Sequence, residues 1–142
     1  MNQHCTAQFP STRKGAHRAR LVAVAQLCAW GVPVEATEGA ASVVAELGAN
    51  AVTHGHVPGR RFRLELFLRC DGVLRVEVAD ARGEARPPRS GGLRAVAEDA
   101  ESGRGLLLVE ALALRWGVAP GPFPCKTVWA EVVLGEAAGP GG

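Results

Sequence analysis

A chain of 142 residues with 47% hydrophobic and 21% charged side chains has the composition of one globular domain, which excludes collagen-like, disordered and disulfide-scaffold architectures. At this length folding removes roughly two-thirds of the unfolded surface from water, so neither a disulfide nor a structural metal is needed to close a core. The net charge of +2 rests on 14 arginines and two lysines and by itself names no nucleic-acid partner. Cys5, Cys28, Cys70 and Cys125 lie too far apart for a zinc motif or a disulfide framework, and the longest apolar run, Leu21 to Val32, is broken by Gln26. The expectation is a cytoplasmic chain without signal peptide or membrane span.

In chain order, Ser11 or Thr12 can cap a first helix that runs to about Trp30 and is stopped by Gly31 and Pro33. A second helical pattern runs from Val34 or Glu35 to Thr53 and ends at His54-Gly55. Phe62 to Cys70 and Val73 to Asp80 alternate as strands, and Asp71-Gly72 between them predicts a tight antiparallel hairpin. Phe62, Leu64, Leu66 and Leu68, with Leu74, Val76 and Val78, form the covered face; Arg63, Glu65, Arg69, Arg75 and Glu77 form the solvated one. The 23 residues from Ala81 to Gly103 are rich in Gly, Pro, Arg and Glu and read as a long functional loop, a lid. Leu106 to Arg115 then predicts a helix, Trp116 to Ala119 a short strand and Lys126 to Leu134 a final strand. The sum is an α/β chain of the α+β two-layer type, with helices on one face of a mostly antiparallel mixed sheet over residues 1–134 and a mobile Gly-, Ala- and Pro-rich tail over 135–142.

Three segments carry chemistry. On the second helix Glu46 and Asn50 lie one turn apart on one face, with Ser42 and Thr53 nearby, while nearly every other position is Ala, Val or Leu. A narrow polar stripe on so apolar a helix is either a wet or ligand-filled cleft or the solvent-facing side of an amphipathic helix. Asp80 falls in line with Leu74, Val76 and Val78, so its carboxylate is directed to the helix side, where it caps a neighbouring backbone or meets a polar group in a pocket. Gly103-Arg104-Gly105 precedes the helix expected from Leu106, an arrangement of free amides and dipole suited to an anion; a bare flexible turn has the same sequence.

In order and together these segments resemble a known family. Glu46-Leu47-Gly48-Ala49-Asn50-Ala51-Val52-Thr53-His54-Gly55 is similar to the N-box of the GHKL ATPases, and Gly103-Arg104-Gly105-Leu106-Leu107-Leu108-Val109-Glu110 to their second glycine box. Asp80 stands where the first glycine box begins, and Lys126-Thr127-Val128-Trp129 resembles the last strand of the short, single-domain anti-sigma-factor kinases. The resemblance implies a histidine-kinase-like ATPase domain with the Bergerat ATP-binding fold and an ATP and Mg²⁺ site. Asn50 is then the Mg²⁺ ligand, Glu46 the group that orients or activates the attacking hydroxyl, and Asp80 the reader of the adenine amino group. Gly83, Gly103, Arg104, Gly105 and Leu106 line the phosphates, and Thr127 lies on the nucleotide side of the final strand.

It also implies a serine/threonine-protein kinase that sequesters a sigma factor and phosphorylates a serine on an anti-anti-sigma (STAS-type) antagonist, thereby regulating transcription with no direct nucleic-acid contact. Homodimerisation follows by analogy alone. The chain departs from the family in its first glycine box, which reads Asp80-Ala81-Arg82-Gly83-Glu84 where Asp-x-Gly-x-Gly is usual. That departure motivates a second reading, a catalytically weak or inactive protein-binding module of the same fold that regulates transcription by sequestration.

Three further features have plain readings beside functional ones. Arg13, Lys14, His17, Arg18 and Arg20 make the start of the first helix basic, as a solvated face or a docking face. His54 and His56 have a metal-compatible spacing but no evident third ligand, and Arg86, Arg89 and Arg94 are placed to touch phosphates if the loop closes. Gly48 weakens its helix by about 1 kcal/mol relative to Ala, which is explained if a neighbouring helix packs closely there.

Overall fold

The computed structural model describes residues 2–54, 59–80, 101–120 and 126–135. They form β1 (Gln3–Pro10), α1 (Arg13–Ala29), α2 (Val34–His54), β2 (Arg61–Leu68), β3 (Val73–Asp80), α3 (Glu101–Leu112), β4 (Arg115–Pro120) and β5 (Lys126–Val133). The five strands make one sheet in the order β1-β2-β3-β5-β4, and each of the four pairings is antiparallel. The expected two-layer arrangement is present, with a sheet more regular than the mixed one expected. No helix among the described residues is long and apolar enough to cross a membrane.

Local chemistry accounts for the boundaries. Thr12, not Ser11, caps α1: its hydroxyl oxygen accepts the Gly15 amide at 3.0 Å. The helix ends where Gly31, at φ +83°, turns the chain and its amide donates to the Cys28 carbonyl at 3.0 Å. The β2–β3 connection is slightly wider than a two-residue turn. Gly72 N–H donates to Arg69 O at 3.1 Å, the Asp71 carboxylate accepts the Val73 amide at 3.1 Å, and Gly72 takes the left-handed φ of +83°. Gly72 also meets the chain leaving β5: Leu134 N–H donates to its carbonyl at 2.9 Å.

β1 was not anticipated. Its sequence alternates exposed His4, Thr6 and Gln8 with inward Cys5, Ala7 and Phe9, and only Phe9 is fully buried, so the apolar signal is weak. Tertiary pairing makes the strand, with Phe9 opposite Phe62 and their rings 5.7 Å apart.

The core lies between the sheet and the helices. Leu64, Leu66, Leu74, Val76 and Val78, together with Val128 and Ala130, meet Ala19, Ala23 and Leu27 of α1 and Ala40, Val43, Val44 and Leu47 of α2. Each fully buried Leu or Val contributes about 1.5 to 3 kcal/mol relative to an exposed one. α2 is central, packed against α1 and α3 and against β2, β3 and β5. Gly48 faces Ala16 of α1, but a Cβ there would lie 3.5 Å from the Ala16 methyl, an ordinary contact, so this crossing does not demand glycine.

The opposite face of the sheet is charged but not simply wet. Glu131 on β5 is 4% exposed and is held by Arg115 at 2.7 Å, Arg75 at 3.1 Å and Arg69 at 3.5 Å, while the Arg75 guanidinium lies 4.3 Å from the Trp129 ring. Burial by itself raises the Glu131 pKa, but hydrogen bonds from Arg115 and Arg75 outweigh it and hold the carboxyl below the ordinary value. Its stabilisation is therefore complete above the unfolded-state value of about 4.3 and is lost as pH falls through the lower folded-state value. Glu131→Gln is expected to cost about 1 to 2 kcal/mol at neutral pH, the arginines being partly solvated. Thermal melts of parent and variant should converge well below about pH 4; a gap that persists undiminished into acid would contradict this account.

Candidate functional site

The polar stripe on α2 divides when the helix docks. Asn50 is turned inward and only 2% exposed, beside Leu47 and Ala51, whereas Glu46 one turn earlier is half-buried at the margin and Thr53 is exposed. Ser42 is taken up within the helix, its hydroxyl donating to the Glu38 carbonyl at 3.1 Å. The two readings of the stripe thus apply to different residues.

Asn50 is the anomaly of the interior. Both its Nδ2 and its Oδ1 are buried without a hydrogen-bond partner among the described residues. Leaving a buried polar group unsatisfied costs about 1 to 3 kcal/mol, and such groups are scarce in native structures. A carboxamide oxygen is a hard neutral ligand suited to Mg²⁺, so the donor present fits the ion that the sequence implied.

Asp80, the last residue of β3, is also 2% exposed. It caps no turn. Its Oδ2 lies 3.3 Å from Nζ of Lys126, the first residue of β5 and its direct cross-strand neighbour. Lys126 is itself 1% exposed. Thr127 pairs with Ala79 instead, so strand alternation puts it on the face of Glu77 and Trp129, away from Asp80. The structure therefore brings Lys126, not Thr127, to the Asp80 carboxylate. Sequence reasoning missed Lys126, although its parity on β5 matches that of Val128, Ala130 and Val132 and was a usable signal.

The second glycine segment differs from expectation as well. The described part of α3, Glu101–Leu112, already encloses Gly103, Arg104, Gly105 and Leu106, which the sequence placed before the helix or at its start. Gly83, Arg82 and the loop arginines lie outside the described residues, as does His56.

Connectivity places Asn50 and Asp80 at one end of the two layers. Six residues, 55–60, join the C-terminal end of α2 to the start of β2, and the start of β2 lies beside the end of β3, with Arg63 opposite Ala79. Lys126 opens β5 at that same end. α3 packs along α2 and leads into Arg115, which pairs with Glu131 at the far end, so the N-terminal half of α3 is directed back from there. A carboxamide and an ion pair thus belong to one edge, with the N-terminal half of α3 directed towards it, and Glu46 adds a carboxylate one turn below.

Comparison with known proteins bears on this arrangement. The family model of the histidine kinase-like ATPase domain matches residues 9–122. No curated protein sequence matches the chain. Among solved structures, the RsbU and RsbW domains of Rv1364c from Mycobacterium tuberculosis superpose with a TM-score of 0.67 at 18% identity, covering 92% of this chain and 32% of that one. This chain therefore spans about a third of that protein's length. The SiaB-SiaC complex from Pseudomonas aeruginosa gives 0.62 at 12% identity, covering 90% of this chain and 88% of the other. The histidine kinase domain of the blue-light activated histidine kinase from Erythrobacter litoralis EL346 gives 0.52 at 20% identity, over 88% and 61% of the two chains. At these identities the likeness is one of fold.

Proposed function

Since the chain belongs to the histidine kinase-like ATPase domain family, we propose that it binds ATP with Mg²⁺ and acts as a regulatory kinase of the anti-sigma-factor type. The observation that carries this reading is the carboxamide of Asn50, buried on the inward face of α2 and unpartnered among the described residues. Bound Mg²⁺-ATP would supply the transferable phosphoryl group and the charge that neutralises it. Asn50 would hold the ion through Oδ1, and Asp80 would fix the base. Gly103 and its neighbours in α3, with Gly83, would approach the phosphates through backbone amides. Glu46, half-buried one turn from Asn50, would orient the attacking serine hydroxyl and accept its proton.

The proposed acceptor is a serine on an anti-anti-sigma, STAS-type protein, and the proposed target of sequestration is a sigma factor. The match to a fold solved in the SiaB-SiaC complex supports a protein partner. The altered first glycine box favours a second reading, in which the same fold binds its partner without phosphoryl transfer. Labelled ATP and a candidate antagonist separate the two. The kinase reading expects transfer to serine by the parent and a loss of about 100-fold or more in Glu46→Gln, with ATP affinity retained. Nucleotide binding without transfer would select the binding module.

A further inference from the structure

The first turns of α1 carry Arg13, Lys14 and Arg18, all exposed, and the helix holds no acidic residue anywhere along its length. Two exposed arginines join them from another element. Arg61 opens β2 opposite Pro10, and the carbonyl of Arg60 accepts the Ser11 amide at 3.4 Å, so both lie beside the start of α1. Stability does not account for this collection. Cations in the first turn of a helix meet the positive end of its dipole, which disfavours them. Nor does the fold neutralise them. On the outer face of the sheet Arg63, Arg69, Arg75 and Arg115 hold Glu65, Asp71, Glu77 and Glu131 respectively. Arg13, Lys14, Arg18, Arg60 and Arg61 pair with no carboxylate among the described residues.

The outward side of α1 then changes character. Leu21 lies seven residues beyond Lys14 and three beyond Arg18, and Val22 one turn beyond Arg18, so they continue the basic face. They are 49% and 36% exposed, while Ala16, Ala19, Ala23 and Leu27 on the other side are buried in the core. A polyanion has nothing to offer Leu21 and Val22. A lipid surface would take up the apolar face of a basic helix, but that face of α1 is already occupied by the core. Charged side chains bordering apolar ones are the make-up of a protein–protein surface, with a polar rim around an apolar centre.

The place of this surface gives it a use. The start of β2 lies beside the end of β3, so Arg60, Arg61 and the start of α1 stand at the end of the layers that carries Asn50 and Asp80. Two strand spacings, about 10 Å, separate β1 from β3. Resting on the protein-partner reading above, we propose that this surface docks the acceptor protein. The acceptor presents acidic side chains to Arg13, Lys14, Arg18, Arg60 and Arg61 and an apolar side chain to Leu21 and Val22, and docking there brings it to the edge of the nucleotide site.

The probe is a fluorescein-labelled amphipathic peptide with one serine, glutamates on one side and leucines on the other, compared by anisotropy with the same peptide carrying Gln for every Glu. The full-length parent is expected to bind the Glu peptide about 10-fold or more tightly than the Gln peptide, with the difference shrinking as salt rises. Lys14→Glu/Arg18→Glu is expected to weaken binding of the Glu peptide about 10-fold or more, and Leu21→Ser about 3- to 10-fold, with ATP affinity retained in both. The charge variant should melt no lower than the parent, because its new carboxylates suit the start of the helix. Equal affinity of the parent for the two peptides overturns the proposal, as does indifference to the charge reversal. Tighter binding of duplex DNA or phosphatidylserine vesicles than of the Glu peptide overturns it in favour of a polyanion or a membrane. Loss of ATP affinity in the charge variant overturns it by assigning the cations to the nucleotide phosphates. Charge-dependent peptide binding by a parent that binds no ATP would remove the nucleotide reading and leave the docking surface standing, so the two failures are distinct results.

Discussion

Asn50→Leu is expected to raise the stability of the ligand-free protein by about 1 to 3 kcal/mol and to abolish Mg²⁺-dependent ATP binding. The two side chains are nearly isosteric, so the exchange replaces a buried carboxamide, unsatisfied among the described residues, with a side chain that has nothing to satisfy. Most core substitutions destabilise, which makes a gain diagnostic. It would mean that the interior accommodates Asn50 at a cost, the usual sign of a residue held for binding. Urea denaturation of parent and variant without nucleotide measures the first half and ATP titration the second. A variant less stable than the parent would show that the carboxamide finds a partner in solution, and would remove the argument for a ligand there.

Gly15→Ala is expected to be among the most damaging single substitutions, at about 3 kcal/mol or more. Gly15 lies in the first turn of α1 where the chain has just left β1, and a Cβ there would overlap the carbonyl oxygen of Pro10 and crowd its carbonyl carbon at 3.0 Å. The obstacle is backbone, so no rotamer change relieves it. Moving Pro10 would disturb the pairing with Arg61, and moving α1 would break the cap in which Thr12 accepts the Gly15 amide. Gly48→Ala on α2 is the natural control, since its added methyl meets Ala16 at ordinary contact distance. Thermal melts of both variants check the contrast, and similar melting temperatures would refute it.

The fold was readable where local chemistry and burial agree. The β2–β3 hairpin announces itself through strict alternation around Asp71-Gly72, and α1 and α2 through caps, Gly31 and an apolar face. β1 was not readable because a half-buried edge strand of Gln, His, Thr and Ala has little pattern of its own, and pairing with β2 creates it. The helical state of residues 101–105 was hidden by Gly103 and Gly105, which read as a turn and are carried inside a helix. Glu46 and Asn50 were legible as a stripe, but which of them is buried depends on how α2 sits between α1, α3 and the sheet. Lys126 was obscured because a lysine at the first position of a strand reads as its solvated end; its parity with Val128, Ala130 and Val132 pointed inward, and the pairing with β3 places it there.

The most direct test of the account is a calorimetric titration of the full chain with ATP, in the presence and absence of Mg²⁺. Saturable binding that requires Mg²⁺ and disappears in Asn50→Ala is the predicted result. Binding indifferent both to Mg²⁺ and to Asn50, or no binding up to millimolar ATP, would contradict the central claim that this carboxamide is held in the core to serve a metal–nucleotide ligand.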